Sequence, residues 1–198
     1  MQNTVDFIFN WKNDSKQLNV EEKNKTNKYV KRWKYKDVMY SFYGIYTIGL
    51  LVYYPETFEN TDCIIRLRKN NSGDTLYDHV LSNHSKYTKL NNLKELRDFI
   101  EVYDSVGNVI PVWPGANEHR GYKSKCLDLP DIYFKRHSKW TQHLINEYPE
   151  AIIENLHKSS YPDTMKDFLE LMKVTGEYQR FLIYVTDRIK DRTKKLMK

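Results

Sequence analysis

The stretch from Tyr178 to Leu196, YQRFLIYVTDRIKDRTKKL, says most about the fold. Its apolar residues recur every three or four positions, which is the spacing of one buried face of an α-helix. The members of this stripe are Tyr178, Phe181, Leu182, Val185, Ile189 and Leu196. Cations gather toward the C-terminal end, where they complement the negative end of the helix dipole. The pattern therefore predicts a long helix that packs one face against the rest of the protein.

Helical patterns also lie upstream of this stretch. Residues 93–103 repeat apolar side chains at helical spacing, and Asn92 with Glu95 has the form of an N-cap and its reciprocal partner. Ser160 with Asp163 makes a similar pattern before a second apolar repeat. Pro130 can open another helix, because proline is favoured at the first helical position.

Strand patterns are concentrated in the first 125 residues. Residues 46–54 are almost continuously apolar, which predicts a strand covered on both faces. Residues 63–68 alternate and are predicted to pair with that strand. Residues 5–9 are rich in β-forming types, and residues 108–114 predict an edge strand or an irregular extended segment because they contain two prolines.

These patterns together predict an α+β fold. It consists of a small mixed or antiparallel sheet region followed by a predominantly helical C-terminal half. A chain of 198 residues is expected to form one domain. We therefore predict a single domain over 1–198, with a mixed α/β part at 1–125 and a helical part at 126–198.

The positive charge is unevenly distributed along the chain. Residues 12–36 carry nine basic and three acidic residues, residues 187–198 carry six and two, and the remainder has a net charge of −4. Aromatic residues interleave with the N-terminal cations, an arrangement used to bind single-stranded nucleic acid. The predicted substrate-binding residues are Lys28, Lys31, Arg32 and Trp33. The alternative is an amphipathic helix whose lysine face is only solvated.

Composition excludes several classes of protein. No run approaches the ~20 consecutive apolar residues of a membrane span, and the first residues lack the order of a secretory signal. We therefore expect a cytoplasmic protein with no membrane partner. Cys63 and Cys126 are too few for a disulfide scaffold, and aromatic residues at 14 % exclude a disordered chain.

Residues 107–121, GNVIPVWPGANEHRG, form the most informative segment for function. Two asparagines stand nine positions apart, and an Arg-Gly pair follows three positions after the second. This spacing resembles the second half of the HNH (ββα-metal) nuclease motif. In that family an Asn opens a short apolar strand, and a second Asn or His starts a helix with a basic residue one turn later.

The resemblance implies a metal-dependent nuclease site. His79 would deprotonate water, Asn108 would orient that histidine, and Arg120 would contact the scissile phosphate. The cofactor would be Mg²⁺ or Mn²⁺. Its candidate ligands are Asp78, Asn117 and His119.

Each of these residues also has a purely structural interpretation. Asn117 can be a turn former, Arg120 can pair with Asp128 or Asp131, and Asn108 can cap backbone groups of the preceding loop. The Asp78-His79 pair can be a surface dipeptide on a helix.

A second resemblance covers more of the chain. A set of uncharacterised bacterial proteins, grouped as a domain of unknown function, is similar in four elements. Here they are Gly107-Asn108, Trp113-Pro114, residues 117–121 and Asp128-Leu129. This resemblance implies a bacterial family and brings no established activity.

Two functional hypotheses follow. The first is a bacterial nucleic-acid-associated protein, in its catalytic version a divergent or degenerate HNH-like nuclease of a mobile element or defence system. The second is a non-catalytic module that binds protein or nucleic acid through a Tyr-rich surface and basic termini, and it needs no metal.

Overall fold

The computed structural model describes residues 37–42, 44–57, 83–103, 105–112, 134–135, 138–147, 152–157, 160–162 and 164–196. The helices are α1 (Ile45–Tyr53), α2 (Thr88–Asn91), α3 (Lys94–Tyr103), α4 (Ser138–Glu147), α5 (Glu154–His157), α6 (Met165–Met172) and α7 (Glu177–Leu196). Single 3-10 turns span Pro55–Thr57 and Val106–Asn108. The strands are β1 (Asp37–Tyr40) and β2 (Val109–Val112). The predicted segments at residues 5–9 and 63–68 lie outside the described residues.

The long helix α7 is the element around which the described part of the fold is built. It packs against α1, α3, α5, α6 and the 3-10 turn before β2. All six residues of the predicted apolar stripe are buried, which confirms the prediction from residues 178–196. Thr186 and Arg192 are buried on the same helix. The opposite face is solvent-exposed and mostly charged, as expected for an amphipathic helix.

The prediction of a strand at residues 46–54 is wrong. This segment forms α1, in which every residue from Ile45 to Leu51 is buried. A helix that is covered on all sides has no polar face, so its sequence lacks the 3.6-residue period and resembles a buried strand. Gly49 permits the close packing, because a Cβ there would lie 2.4 Å from Cδ1 of Leu90 and 2.6 Å from the hydroxyl oxygen of Tyr178. That hydroxyl donates a hydrogen bond to the Ile45 carbonyl at 2.9 Å.

The predicted α+β fold class is also wrong, because the described part of the chain is predominantly helical. Its β structure is one antiparallel pair of four-residue strands, with Asp37 opposite Val112 and Tyr40 opposite Val109. The predicted edge strand after Asn108 therefore exists, and Pro111 stands opposite Val38. No larger sheet region is found among the described residues, because α1 takes the place of the expected central strand.

The helix boundaries differ slightly from the predictions. Helix α3 begins at Lys94, while Asn92 closes α2. Helix α6 is capped by Thr164 and not by the predicted Ser160. The Thr164 Oγ1 accepts a hydrogen bond from the Asp167 backbone N–H at 3.2 Å and donates one to the Asp167 carboxylate at 2.6 Å. The cap therefore pairs a hydroxyl residue with an acidic residue three positions later, as predicted, but four residues further along the chain.

None of the helices in the described ranges combines the length and the apolar character that a membrane span needs.

Candidate nucleic-acid interface

Asn108 is the one predicted site residue that falls within the described part of the chain. The predicted catalytic residues His79 and Arg120 lie outside it. The same holds for the predicted metal ligands and substrate-binding residues, namely Asp78, Asn117, His119, Lys28, Lys31, Arg32 and Trp33. Their arrangement around a metal or a phosphate therefore stays a prediction.

The side chain of Asn108 is fully buried at the start of β2. Its Oδ1 accepts hydrogen bonds from the Ser41 hydroxyl at 3.0 Å and from the Phe42 backbone N–H at 3.2 Å. Its Nδ2 donates to the Tyr103 carbonyl at 2.7 Å. The Asn108 carbonyl accepts from the Ser41 backbone N–H at 2.7 Å, which continues the β1–β2 ladder by one residue. The amide thus joins the end of β1 to the end of α3.

These bonds are the ones expected if Asn108 serves backbone groups. A backbone N–H buried beside an apolar ring needs a partner, because an unsatisfied buried donor costs about 1–3 kcal/mol. The amide supplies an acceptor and a donor at one point, which no apolar side chain can do. The other hypothesis, that Asn108 orients a catalytic histidine, depends on His79, whose position the structure does not describe.

We call the place where Asn108 joins β1, β2 and α3 the Asn108 junction. Arg192 of α7 is fully buried against the backbone of this junction. Its guanidinium donates hydrogen bonds to the Gly107 carbonyl at 2.8 Å and to the Val109 carbonyl at 2.7 Å, on either side of Asn108. Burial lowers the pKa of the Arg192 guanidinium to about 9, and the charge of Glu154 opposes this shift. The carbonyl bonds favour the charged form, because they satisfy donors that would otherwise be desolvated.

Gly107 makes this close approach possible. Its backbone N–H donates to the Thr193 hydroxyl at 3.1 Å, and a Cβ at this position would lie 2.2 Å from the Ile189 carbonyl oxygen. That distance is far below van der Waals contact, and the obstacle is helix backbone. Only glycine therefore fits between the 3-10 turn and α7.

The basic C-terminal stretch contributes less free positive charge than its sequence suggests. Arg192 is buried in the junction just described. Arg188 lies over the Tyr184 ring at 5.1 Å and donates to the Asn155 carbonyl at 3.4 Å. Lys195 bonds both Asp191 and the Asn155 side chain, each at 2.8 Å. Much of the predicted C-terminal basic patch is therefore engaged within the fold.

A different group of cations is exposed on α2, α3 and the turn before them. We define this basic surface as Lys86, Lys89, Lys94 and Arg97, all solvent-exposed. Across residues 84–97 these four cations face a single acidic residue, Glu95. Sequence analysis missed the group, because averaging over the whole middle of the chain gave a net negative charge. A charge count in a 14-residue window would have found it.

The basic surface is attached to a rigid base. Tyr87 and Leu90 anchor the first part, and Leu96 and Phe99 anchor α3, each with 0 % of its surface exposed. The two parts are joined where the Arg97 guanidinium donates to the Asn92 carbonyl at 3.0 Å, at the end of α2.

Acidic groups offset part of the charge of this surface, because Asp98 pairs with Lys94 and Glu101 is exposed on the same helix. Glu95 is half-buried, and its charge acts on Tyr53, whose pKa is raised mainly by burial. The Asp98 carboxylate accepts a hydrogen bond from Lys94, and this bond, helped by the charges of Lys190 and Arg97, lowers the pKa of Asp98. Three cations therefore surround one carboxylate, and Lys190 extends the positive region onto α7.

A search for metal ligands found no group of three or more His, Cys, Asp or Glu side chains within the described ranges. No protein-family model matches the chain, and searches of the curated proteins and of the solved structures found no significant similarity.

Proposed function

We propose that this protein binds nucleic acid through contacts between its exposed cations and phosphate groups. The observation that carries the proposal is the basic surface formed by Lys86, Lys89, Lys94 and Arg97, with Lys190 beside it. Phosphate contacts provide most of the affinity in sequence-independent binding, because each one releases a condensed counterion. The net charge of +6 supports the same proposal, since it attracts a polyanion at long range.

The Asn108 junction supports a non-catalytic version of this function. The polar atoms of Asn108 hold together β1, β2 and α3, and this role accounts for its side chain without a catalytic partner. The HNH-like site, with His79 as base and Arg120 on phosphate, stays a separate hypothesis. Incubating plasmid DNA and structured RNA with the protein and Mg²⁺ or Mn²⁺ tests it. Cleavage that persists unchanged in His79→Ala and Arg120→Ala would remove that site.

Fluorescence anisotropy with a labelled oligonucleotide at increasing salt concentration tests the binding proposal. For duplex DNA, the slope of log Kobs against log salt concentration is about −0.9 per phosphate contact. Replacing Lys86, Lys89 and Arg97 with Gln should therefore reduce the magnitude of the slope by about 2.7. Absence of binding at low salt would refute the proposal.

The matched control is the double substitution Lys166→Gln and Lys173→Gln. Both lysines are exposed and belong to α6 and its C-terminal cap, outside the basic surface. The control removes positive charge without touching residues 84–97, so we expect the salt slope to stay unchanged. A loss of about 1.8 in this control, the same loss per cation removed, would show that overall charge, and not the basic surface, drives the binding.

A further inference from the structure

We infer that Tyr54, at the end of α1, provides a stacking face for a base of single-stranded nucleic acid beside the basic surface. This inference rests on the proposed function, because it names a residue of the same region that acts on one form of nucleic acid. It depends on the position of the Tyr54 ring next to two exposed lysines, on the contacts that fix the ring, and on the local charge.

Tyr54 is the residue that follows α1, and it contacts the turn and helix that carry Lys86 and Lys89. Its hydroxyl accepts the Lys89 backbone N–H at 2.8 Å. Its ring makes a T-shaped contact with the Tyr87 ring at a centroid distance of 5.2 Å. The Lys86 ammonium lies 5.2 Å from the centroid of the same Tyr87 ring. Two exposed lysines therefore belong to the immediate surroundings of this tyrosine pair.

The two tyrosines differ in exposure. Tyr87 is 0 % exposed, so its ring has no surface to offer to a base. Tyr54 is half-buried, because it packs against the hydrophobic core while the rest of its surface meets solvent. Single-strand binding proteins stack bases on aromatic rings that stand beside cations. Tyr54 is therefore the ring of this pair that can take a base.

The Tyr54 side chain is held in place before any ligand arrives. The hydrogen bond from Lys89 fixes its hydroxyl, and the contact with Tyr87 fixes its ring. The bond also satisfies a backbone N–H in the first turn of α2, where helix donors lack an intrahelical partner. Little side-chain freedom is left to lose on stacking, and such preorganisation favours binding.

Acidic groups in this region make the ring, and not the charge, the feature that distinguishes ligands. Glu56 is exposed two positions after Tyr54, and on α3 Asp98 pairs with Lys94 while Glu101 is exposed. These carboxylates weaken the attraction for the phosphates of a duplex and of a single strand alike. Unpaired bases can be splayed onto an aromatic side chain, whereas bases stacked inside a duplex cannot. The ring should therefore contribute to single-strand affinity alone.

Tyr184 of α7 provides a matched comparison. It is also half-buried and also has a cation beside it. Its ring, however, stacks on Phe181 at a centroid distance of 6.4 Å, and the Arg188 guanidinium lies over it at 5.1 Å. These contacts occupy the ring face, so we expect Tyr184 not to stack on a base.

The first test titrates the full chain and the variants Tyr54→Leu, Tyr54→Phe and Tyr184→Leu with labelled DNA by fluorescence anisotropy. The ligands are a single strand and a duplex of the same sequence and length, and circular dichroism compares the helix content of the variants. One stacked base corresponds to about 5–140-fold in affinity. Because Tyr54 is half-buried, we expect Tyr54→Leu to lose at least about 5-fold in single-strand affinity and nothing in duplex affinity. Tyr54→Phe and Tyr184→Leu should bind both ligands like the wild type.

A second measurement is independent of whether Tyr54→Leu folds. A single strand that carries iodouracil crosslinks under ultraviolet light to an aromatic side chain stacked on that base. Mass spectrometry of the wild-type adduct then locates the crosslinked residue, and we expect Tyr54. Crosslinks found only at other residues would overturn the inference.

The other outcomes of the titrations separate the inference from the proposed function. Unchanged single-strand affinity in a folded Tyr54→Leu protein, or an equal loss for both ligands, would overturn the inference and leave the proposed function intact. A loss in Tyr54→Phe as large as in Tyr54→Leu would overturn the role of the ring, because only the hydroxyl is missing there. An equal single-strand loss in Tyr184→Leu would overturn the assignment to Tyr54. Failure of the full chain to bind either ligand would refute the proposed function itself.

Discussion

Replacing Asn108 with Ala should destabilise the protein by about 1.5–4.5 kcal/mol. The substitution removes three side-chain hydrogen bonds, two accepted from Ser41 and Phe42 and one donated to Tyr103. The Ser41 hydroxyl keeps a partner, because it also donates to the Asn108 main-chain carbonyl at 2.9 Å. The Phe42 N–H and the Tyr103 carbonyl lose theirs.

The two backbone groups that lose their partners do not cost the same free energy. Phe42 is 1 % exposed, so its N–H is left without water and costs about 1–3 kcal/mol. Tyr103 is half-buried, so its carbonyl can reach water and contributes about 0.5–1.5 kcal/mol, the net value of an ordinary hydrogen bond. For a chain of this size, the sum corresponds to a fall in Tm of about 3–18 °C.

The assay is urea unfolding followed by circular dichroism at 222 nm, with a thermal melt beside it. The control is Asn146→Ala, because Asn146 is exposed on α4 and bonds only Gln142 within the described contacts. We expect the control to change the free energy of unfolding by less than about 0.5 kcal/mol. An Asn108→Ala protein as stable as the wild type would refute the argument from the buried bonds.

The conservative substitution Asn108→Asp separates size from hydrogen bonding. It keeps the shape and the acceptor but places an oxygen where Nδ2 now lies 2.7 Å from the Tyr103 carbonyl. Only the protonated carboxyl can donate there, so the folded state should raise the pKa of this Asp above its unfolded value. Its stability relative to wild type should therefore be greatest below the unfolded pKa and fall as pH rises through the folded pKa. Lack of any such pH dependence would contradict the assigned donor.

Three more predictions concern the surroundings of this junction and the basic surface. Gly107→Ala should destabilise the protein by about 1–3 kcal/mol or more, because its methyl group meets helix backbone, and a denaturant titration that finds no loss would contradict the close approach. Arg192→Met should lower the free energy of unfolding less than Arg192→Ala. Both substitutions leave the Gly107 and Val109 carbonyls without this donor, but only Ala leaves a large cavity, and the difference in urea midpoint measures the effect. The Asp98 carboxyl should titrate by NMR below its ordinary value and move toward it in a Lys190→Glu variant. Because the folded pKa is lowered, the contribution of Asp98 to stability is present above the unfolded pKa and is lost as pH falls through the folded one.

The sequence predicts the amphipathic helices far better than the buried one. In α3 and α7 a polar face alternates with an apolar one, so the period of 3.6 residues is visible in the sequence. Helix α1 is buried on all sides, and its apolar run carries no period that separates helix from strand. The error in fold class followed from this one segment.

Site residues were harder to predict than elements, because their roles depend on partners distant in sequence. The spacing of residues 107–121 singled out Asn108, but its partners Ser41 and Phe42 precede it by 67 and 66 positions. Arg192 counted as a surface cation in the charge analysis, yet it is buried against carbonyls 85 and 83 positions earlier. Composition along the chain cannot reveal which cation folding will enclose.

The position of Arg192 has a consequence for the order of folding. The carbonyls that it bonds belong to the middle of the chain, whereas the guanidinium is added to a growing chain more than 80 residues later. Contacts so far apart require the closure of a long loop, whose entropic cost must be met before they stabilise anything. During synthesis the β1–β2 end of the fold therefore lacks these two hydrogen bonds until α7 has been made. The Gly107 and Val109 carbonyls gain the Arg192 guanidinium as a donor only at that point.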